Sequence, residues 1–125
     1  MKIAVEITYL PLSAQGVTTS DGASGAVVEF AGVVRGEEDG RAIEALNYEA
    51  YEDMARSQMG KILHDLEKNF PCDSVRVVHR VGCVPVGEAA IVVRIEAKHR
   101  SEAFGLLSAF MDRLKMDVPI WKSVS

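Results

Sequence analysis

SVRVVHRVGCVPVGEAAIVVRIEA, residues 74–97, is the stretch whose reading decides the fold. Its two halves, SVRVVHRVG (74–82) and EAAIVVRIEA (88–97), are short and dense in β-branched residues, so they read as strands. A turn containing Pro85 and Gly87 is expected to join them. Upstream the period changes: Ala55, Met59, Ile62, Leu63, Leu66 and Phe70 fall on one apolar stripe of a helix, and Pro71 punctuates its end. Downstream a second helix starts near Ser101, a good N-cap type. Ala103, Phe104, Leu107, Phe110, Met111 and Leu114 form its expected buried face. Pro119 disfavours helix at Val118, so Asp117 to Lys122 reads as extended.

Toward the N-terminus, KIAVEIT (2–8) alternates and reads as a strand. Residues 11–25 are rich in Ser, Thr and Gly and read as a loop, with a short helix expected near Leu12 to Gln15. AVVEFAGVVR (26–35) is a strand in which Gly32 marks a bulge or a close backbone approach. GEEDGR (36–41) is a polar turn, and NYEAY after it is expected to close a hairpin with the preceding strand. The order β-β-β-α-β-β-α-β predicts one α+β domain over residues 1–125, two main helices packed on a mostly antiparallel sheet in the manner of an α/β hammerhead.

A chain of 125 residues with 48 % hydrophobic content has room for a single core. A net charge of -4 gives no support for binding nucleic acid or an anionic membrane. The charge is uneven, however: Glu37, Glu38 and Asp39 form an acidic loop, while His99, Arg100, Arg113, Lys115 and Lys122 make the last quarter locally basic. Such a segment in an acidic protein suits one particular anion. The start, MKIAVEITYL, alternates and does not read as a signal peptide, and no apolar run reaches the ~20 residues of a membrane span. The expected address is the cytoplasm. Cys72 and Cys83 form no C-x-x-C pair and read as packed thiols. No zinc-ligand spacing and no phosphate-cradling glycine loop occurs, so neither a metal nor a cofactor is expected.

LKMDVPIWK places Lys115 in the last turn of the second helix and Lys122 seven residues later on an extended tail. With Pro119 turning the chain back and Trp121 anchoring it, both ammonium groups can face one pocket. On spacing alone the commoner reading is structural, since a lysine in a last helical turn complements the helix dipole. HRSEAF puts His99 and Arg100 where a strand gives way to a helix, so backbone N–H groups and a guanidinium can converge on an anion. Arg35, in FAGVVRG, also ends a strand. For each alone, an exposed strand-end charge is the commoner case. His64 and His79, flanked by apolar residues, read as structural histidines.

Taken together, FAGVVRG (30–36), LNYEAYEDMA (46–55), HRVG (79–82), AKHRSEAF (97–104) and MDRLKMDVPIWK (111–122) resemble the catalytic (large) subunit family of molybdopterin synthase. The likeness runs over residues 25–122 in the family's order, and the combination is more specific than any single piece. It implies a sulfurtransferase of molybdenum cofactor biosynthesis. The implied partner is a small ubiquitin-like sulfur-carrier subunit ending in Gly-Gly, activated as a thiocarboxylate. Its tail enters the large subunit and donates sulfur twice to cyclic pyranopterin monophosphate, giving the dithiolene of molybdopterin. Carried over by motif, Lys115 and Lys122 are the catalytic lysines, and Arg35, His99 and Arg100 are the substrate-binding positions. A homodimer within a heterotetramer is also implied.

The chemistry suits these residues. Phosphate and thiocarboxylate are both anions, and an arginine can bind phosphate through two parallel hydrogen bonds where lysine offers a point charge. Like charge around a lysine disfavours its protonated form, which leaves Lys115 two roles: exchanging protons with the pterin, or attacking an acyl group as a neutral amine. One feature departs from the family. Longer members continue past the W-K segment with a basic tail that reaches the site partly across a dimer, whereas here Ser123, Val124 and Ser125 follow Lys122. The alternatives are a non-catalytic paralogue that binds the carrier without turnover, and an unrelated α+β enzyme of small phosphorylated metabolites.

Overall fold

A computed structural model describes residues 1–13, 16, 19 and 22–125. The helix expected near Leu12 to Gln15 runs into residues 14–15, outside those described. The main sheet has four strands in the order β1-β6-β8-β2: β1 Lys2–Thr8, β6 Ser74–Arg80, β8 Ala89–Ala97 and β2 Ala26–Val33. β1 runs parallel to β6, and the other pairings are antiparallel. Two helices, α1 (Glu52–Leu66) and α2 (Arg100–Asp117), lie on one face. Val75 and Val77 of β6 and Ile91, Val93 and Ile95 of β8 meet Met59, Leu63, Leu106 and Phe110 of the helices in one core. Both central strands are also buried on the far face, at Val78 and Val92. That is why their sequences read as near-continuous apolar runs.

A second sheet, ordered β7-β5-β9, stands at the end of the first: β7 Gly82–Pro85, β5 Ala45–Ala50 and β9 Ile120–Val124. Two expectations fail here. NYEAY does not pair with the second strand; β5 pairs with β7 and β9, and Leu46 packs with Val34, Val84 and Ala90 in a small core of its own. The polar turn at 36–41 closes on itself instead, as the hairpin β3 (Glu37–Glu38) and β4 (Arg41–Ala42). Asp39 and Gly40 both take positive φ (52° and 77°), the conformation a two-residue Asp-Gly hairpin loop demands. Nor is the link between β6 and β8 a plain turn, since it contributes β7 to the second sheet.

The helix boundaries also need correction. α1 ends at Leu66, and Phe70 lies beyond it on hydrogen-bonded turns, where its ring covers Gly105 of α2. α2 begins at Arg100 with His99 in the N-cap position. Ser101 lies inside the helix and bonds Glu102. Its buried stripe is Ala103, Leu106, Phe110 and Leu114, spaced three, four and four, whereas Phe104 is exposed. As Pro119 requires, Val118 is extended (ψ 129°) and closes the helix through its N–H to Leu114. Gly32 sits at a register shift, and a Cβ there would lie 2.8 Å from Ile91 Cγ2, so the bulge and the close approach coincide.

Candidate active site

The break at Val118 returns the chain along β5, and this sets the site. Pairing of β9 with β5 puts Lys122 directly opposite Tyr48 and Trp121 opposite Glu49. The indole N–H of Trp121 donates to Glu49 at 2.9 Å, and its ring meets Tyr51 edge-on with centroids 5.2 Å apart. The tail is thus held beside the last turn of α2, which carries Lys115.

A pocket of about 450 Å³ opens at this junction. The main sheet contributes Gly32, His79 and Ile91, the end of α2 contributes Met111 and Lys115, and the second sheet contributes Tyr48 and Lys122. Both lysines named from the sequence therefore line one cavity. Lys115 is exposed in the last helical turn. Lys122 is half-exposed, and its Nζ lies 3.3 Å from Glu38 Oε1 on the β3–β4 hairpin. Burial raises the Tyr48 phenol above its ordinary value; Lys122 opposes this and Glu38 adds to it. The hydroxyl stays protonated at neutral pH.

The three anion-binding candidates fall elsewhere within the chain. Arg35 is exposed on a separate concavity with Gly36, Glu37, Asp39 and Gly40. His99 and Arg100 are exposed at the start of α2. Arg100 and Lys115 lie fifteen positions apart on α2, about 22 Å at ~1.5 Å per residue. Glu102 already sits in that first turn, 3.9 Å from His99, with its carboxyl held below the ordinary value chiefly by the Ser101 hydroxyl.

Sequence reasoning missed Tyr48, Glu38 and His79 as parts of this region. Tyr48 and His79 belong to the quoted segments NYEAY and HRVG, but nothing in spacing turns either toward the lysines. His79 is buried, as expected of a structural histidine; His64, expected to be similar, is exposed on α1. Cys83 is exposed rather than packed, and Cys72 is half-buried, its thiol pushed up to about 11 by burial and by Glu102, Asp73 and Glu67. Among the described residues no three His, Cys, Asp or Glu side chains cluster as metal ligands. No described helix is long and apolar enough to cross a membrane.

Fold and pocket together define the class: an α+β domain with a small lysine-lined cavity where two sheets meet a helix end. Comparison with known proteins narrows this. The molybdopterin synthase catalytic subunit of Nostoc sp. is 40 % identical over 93 % of this chain and 72 % of its own length. That of Pyrococcus abyssi is 42 % identical over 82 % of this chain and 70 % of its own length. The X-ray structure of molybdopterin synthase from Staphylococcus aureus matches with a TM-score of 0.85 at 30 % identity, covering 95 % of this chain and 88 % of that one. The chain belongs to the MoaE protein family, whose profile matches residues 7–117.

Proposed function

We propose that the chain is the catalytic subunit of a molybdopterin synthase, moving sulfur from the C-terminal thiocarboxylate of a small ubiquitin-like carrier to cyclic pyranopterin monophosphate. The observation that carries this reading is the convergence of Lys115 and Lys122 on one pocket of about 450 Å³, within the ~300–1,000 Å³ of small-molecule sites. Two ammonium groups in a partly apolar cavity favour anions, and both the thiocarboxylate and the phosphate are anionic. Positive charge on the lysines stabilises negative charge as it develops on the acyl group and pterin during transfer. Lys115, at the helix end, is the group we assign to proton exchange or acyl attack.

His99 and Arg100 are too far along α2 to reach the same ligand from the same chain. We assign their contribution to a second copy, whose α2 N-terminus would face this pocket in a homodimer. Mixing tests that part: a Lys115→Ala chain and an Arg100→Ala chain, each inactive alone, should regain activity when combined. Absence of recovery in a mixture shown to exchange subunits would refute a shared site. The reaction itself is tested by supplying carrier ending in carboxylate or in thiocarboxylate. Dithiolene product is expected only with the second, and a chain that binds both carriers without turnover would be a docking protein.

A further inference from the structure

His79 lies near the end of β6, in register with Ile7 of β1 on one side and Ile91 of β8 on the other. It is 5 % exposed and lines the lysine pocket. Its Nδ1 is 2.8 Å from the carbonyl oxygen of Arg80. A carbonyl only accepts, so Nδ1 carries the ring proton and the lone pair of the neutral imidazole is on Nε2. With the Nδ1 edge turned back to the backbone, Nε2 is on the ring's outer edge, and it has no hydrogen-bond partner among the described residues. Tyr48 fixes the ring plane by an edge contact, with centroids 5.4 Å apart and planes at 65°. Burial lowers the histidine pKa, outweighing the opposite pull of the Arg80 carbonyl, so the ring is neutral at neutral pH.

Among the described residues Arg80 Nε is the fully buried side-chain polar atom without a partner; Nε2 of His79 is not one, so it keeps accessible surface and is open to a donor in the pocket that His79 lines. The two lysines of the pocket are donors only. They can hold anionic groups, but a heterocycle entering the cavity also loses water from its own N–H and O–H donors. We propose that Nε2 of His79 is the hydrogen-bond acceptor for a donor N–H or O–H of the ligand held between Lys115 and Lys122, making it a specificity-determining residue of this pocket. The inference rests on the functional reading above, since a reduced pterin carries such donors on its rings. The lysines answer charge; His79 answers the neutral, donor-bearing part. The ionisable groups around it in the pocket are Tyr48 of β5, Lys122 of β9 and Lys115 of α2, while β1 and β8 present the uncharged Ile7 and Ile91. Protonation of Nε2 converts the acceptor to a donor, so affinity for the ligand should fall as pH drops through the depressed histidine pKa.

The test is to titrate cyclic pyranopterin monophosphate against the wild-type chain, His79→Asn and His79→Gln at neutral pH. Asparagine keeps an N–H where Nδ1 was, preserving the bond to Arg80, and has no acceptor at the Nε2 position. Glutamine can place an amide oxygen near it. We expect about tenfold weaker binding for His79→Asn, the scale of one unmade buried hydrogen bond, with partial recovery in His79→Gln and loss of the acidic limb of the binding profile in both. Should His79→Asn not fold, the ¹⁵N resonances of the wild-type imidazole decide: Nε2 should shift on binding while Nδ1 stays. Equal affinities, or an unmoved Nε2 with pterin bound, would overturn the assignment and leave the functional reading standing. A wild-type chain that binds no pterin at all removes that reading, and this inference with it.

Discussion

Glu38 places its Oε1 3.3 Å from Nζ of Lys122, so a carboxylate already occupies one of the two pocket lysines. The pair joins the acidic hairpin β3–β4 to β9, and Lys122 is half-exposed, so its strength is that of a surface ion pair, about 0–1 kcal/mol. An incoming anion must take Lys122 over from Glu38. Replacing Glu38 with Gln should therefore tighten binding of the phosphorylated pterin by up to about fivefold at low salt, converging with wild type as salt rises. Titration at two ionic strengths measures it. Weaker binding would mean that Glu38 holds Lys122 in place rather than competing for it.

Lys115→Ala should leave the fold intact and remove most product formation. The side chain is exposed in the last turn of α2, so its loss should cost within ~0.5 kcal/mol. Steady-state sulfur transfer, with circular dichroism and carrier binding as controls, is the measurement. Activity within a few-fold of wild type would sink the catalytic role.

Arg100→Lys keeps the charge at the start of α2 and removes the guanidinium fork. If Arg100 holds phosphate in the assembled site, pterin affinity should drop although net charge is unchanged. Equal affinities would place the phosphate elsewhere.

The chain's own thiols should be dispensable. A sulfur relay needs an accessible, stabilised thiolate; burial and three neighbouring carboxylates push Cys72 the other way, to about 11. Cys83, though exposed, is not among the residues lining the lysine pocket. The Cys72→Ser, Cys83→Ala double variant should form product from thiocarboxylated carrier at close to the unmodified rate. A folded but inactive variant would make one of these cysteines a relay.

Gly105→Ala should destabilise the protein although alanine favours helix by ~1 kcal/mol. A Cβ at this position would lie 2.4 Å from Phe70 Cδ1 and Cε1, and the ring is itself packed against the core. Overpacking of this kind costs ~1–3 kcal/mol. A lowered thermal midpoint is expected, with recovery when Phe70→Leu is added. A raised midpoint would show that the ring moves aside freely.

Local pattern was enough for the elements of the main sheet and both helices, because each is written in a short-range code. Alternation marked β1, continuous β-branched runs marked β6 and β8, and a three-to-four spacing marked α1 and most of α2. Where the code was overridden, a distant neighbour did it. Phe104 fits the helical stripe by spacing, yet Leu106 is the residue that faces the sheet. Phe70 fits the stripe of α1, yet packs beyond its end where Gly105 makes room.

The second sheet was not legible, and the site depends on it. Trp121 bonds Glu49, 72 positions away, and no periodicity in either segment specifies that pairing. β5 was expected beside β2 because residues 36–41 between them read as a plain turn; instead the Asp39–Gly40 hairpin closes on itself as β3 and β4, and the chain leaves the main sheet with Leu46 turned to a separate core. Residue types carried the chemistry: two lysines flank Pro119, each able to offer an anion its ammonium group, and that proline forces the chain out of helix. Tertiary pairing gave those charges a common pocket, brought Glu38 onto one of them and set His79 with Tyr48 beside them, because contacts between residues far apart in sequence exist only once the sheets have formed.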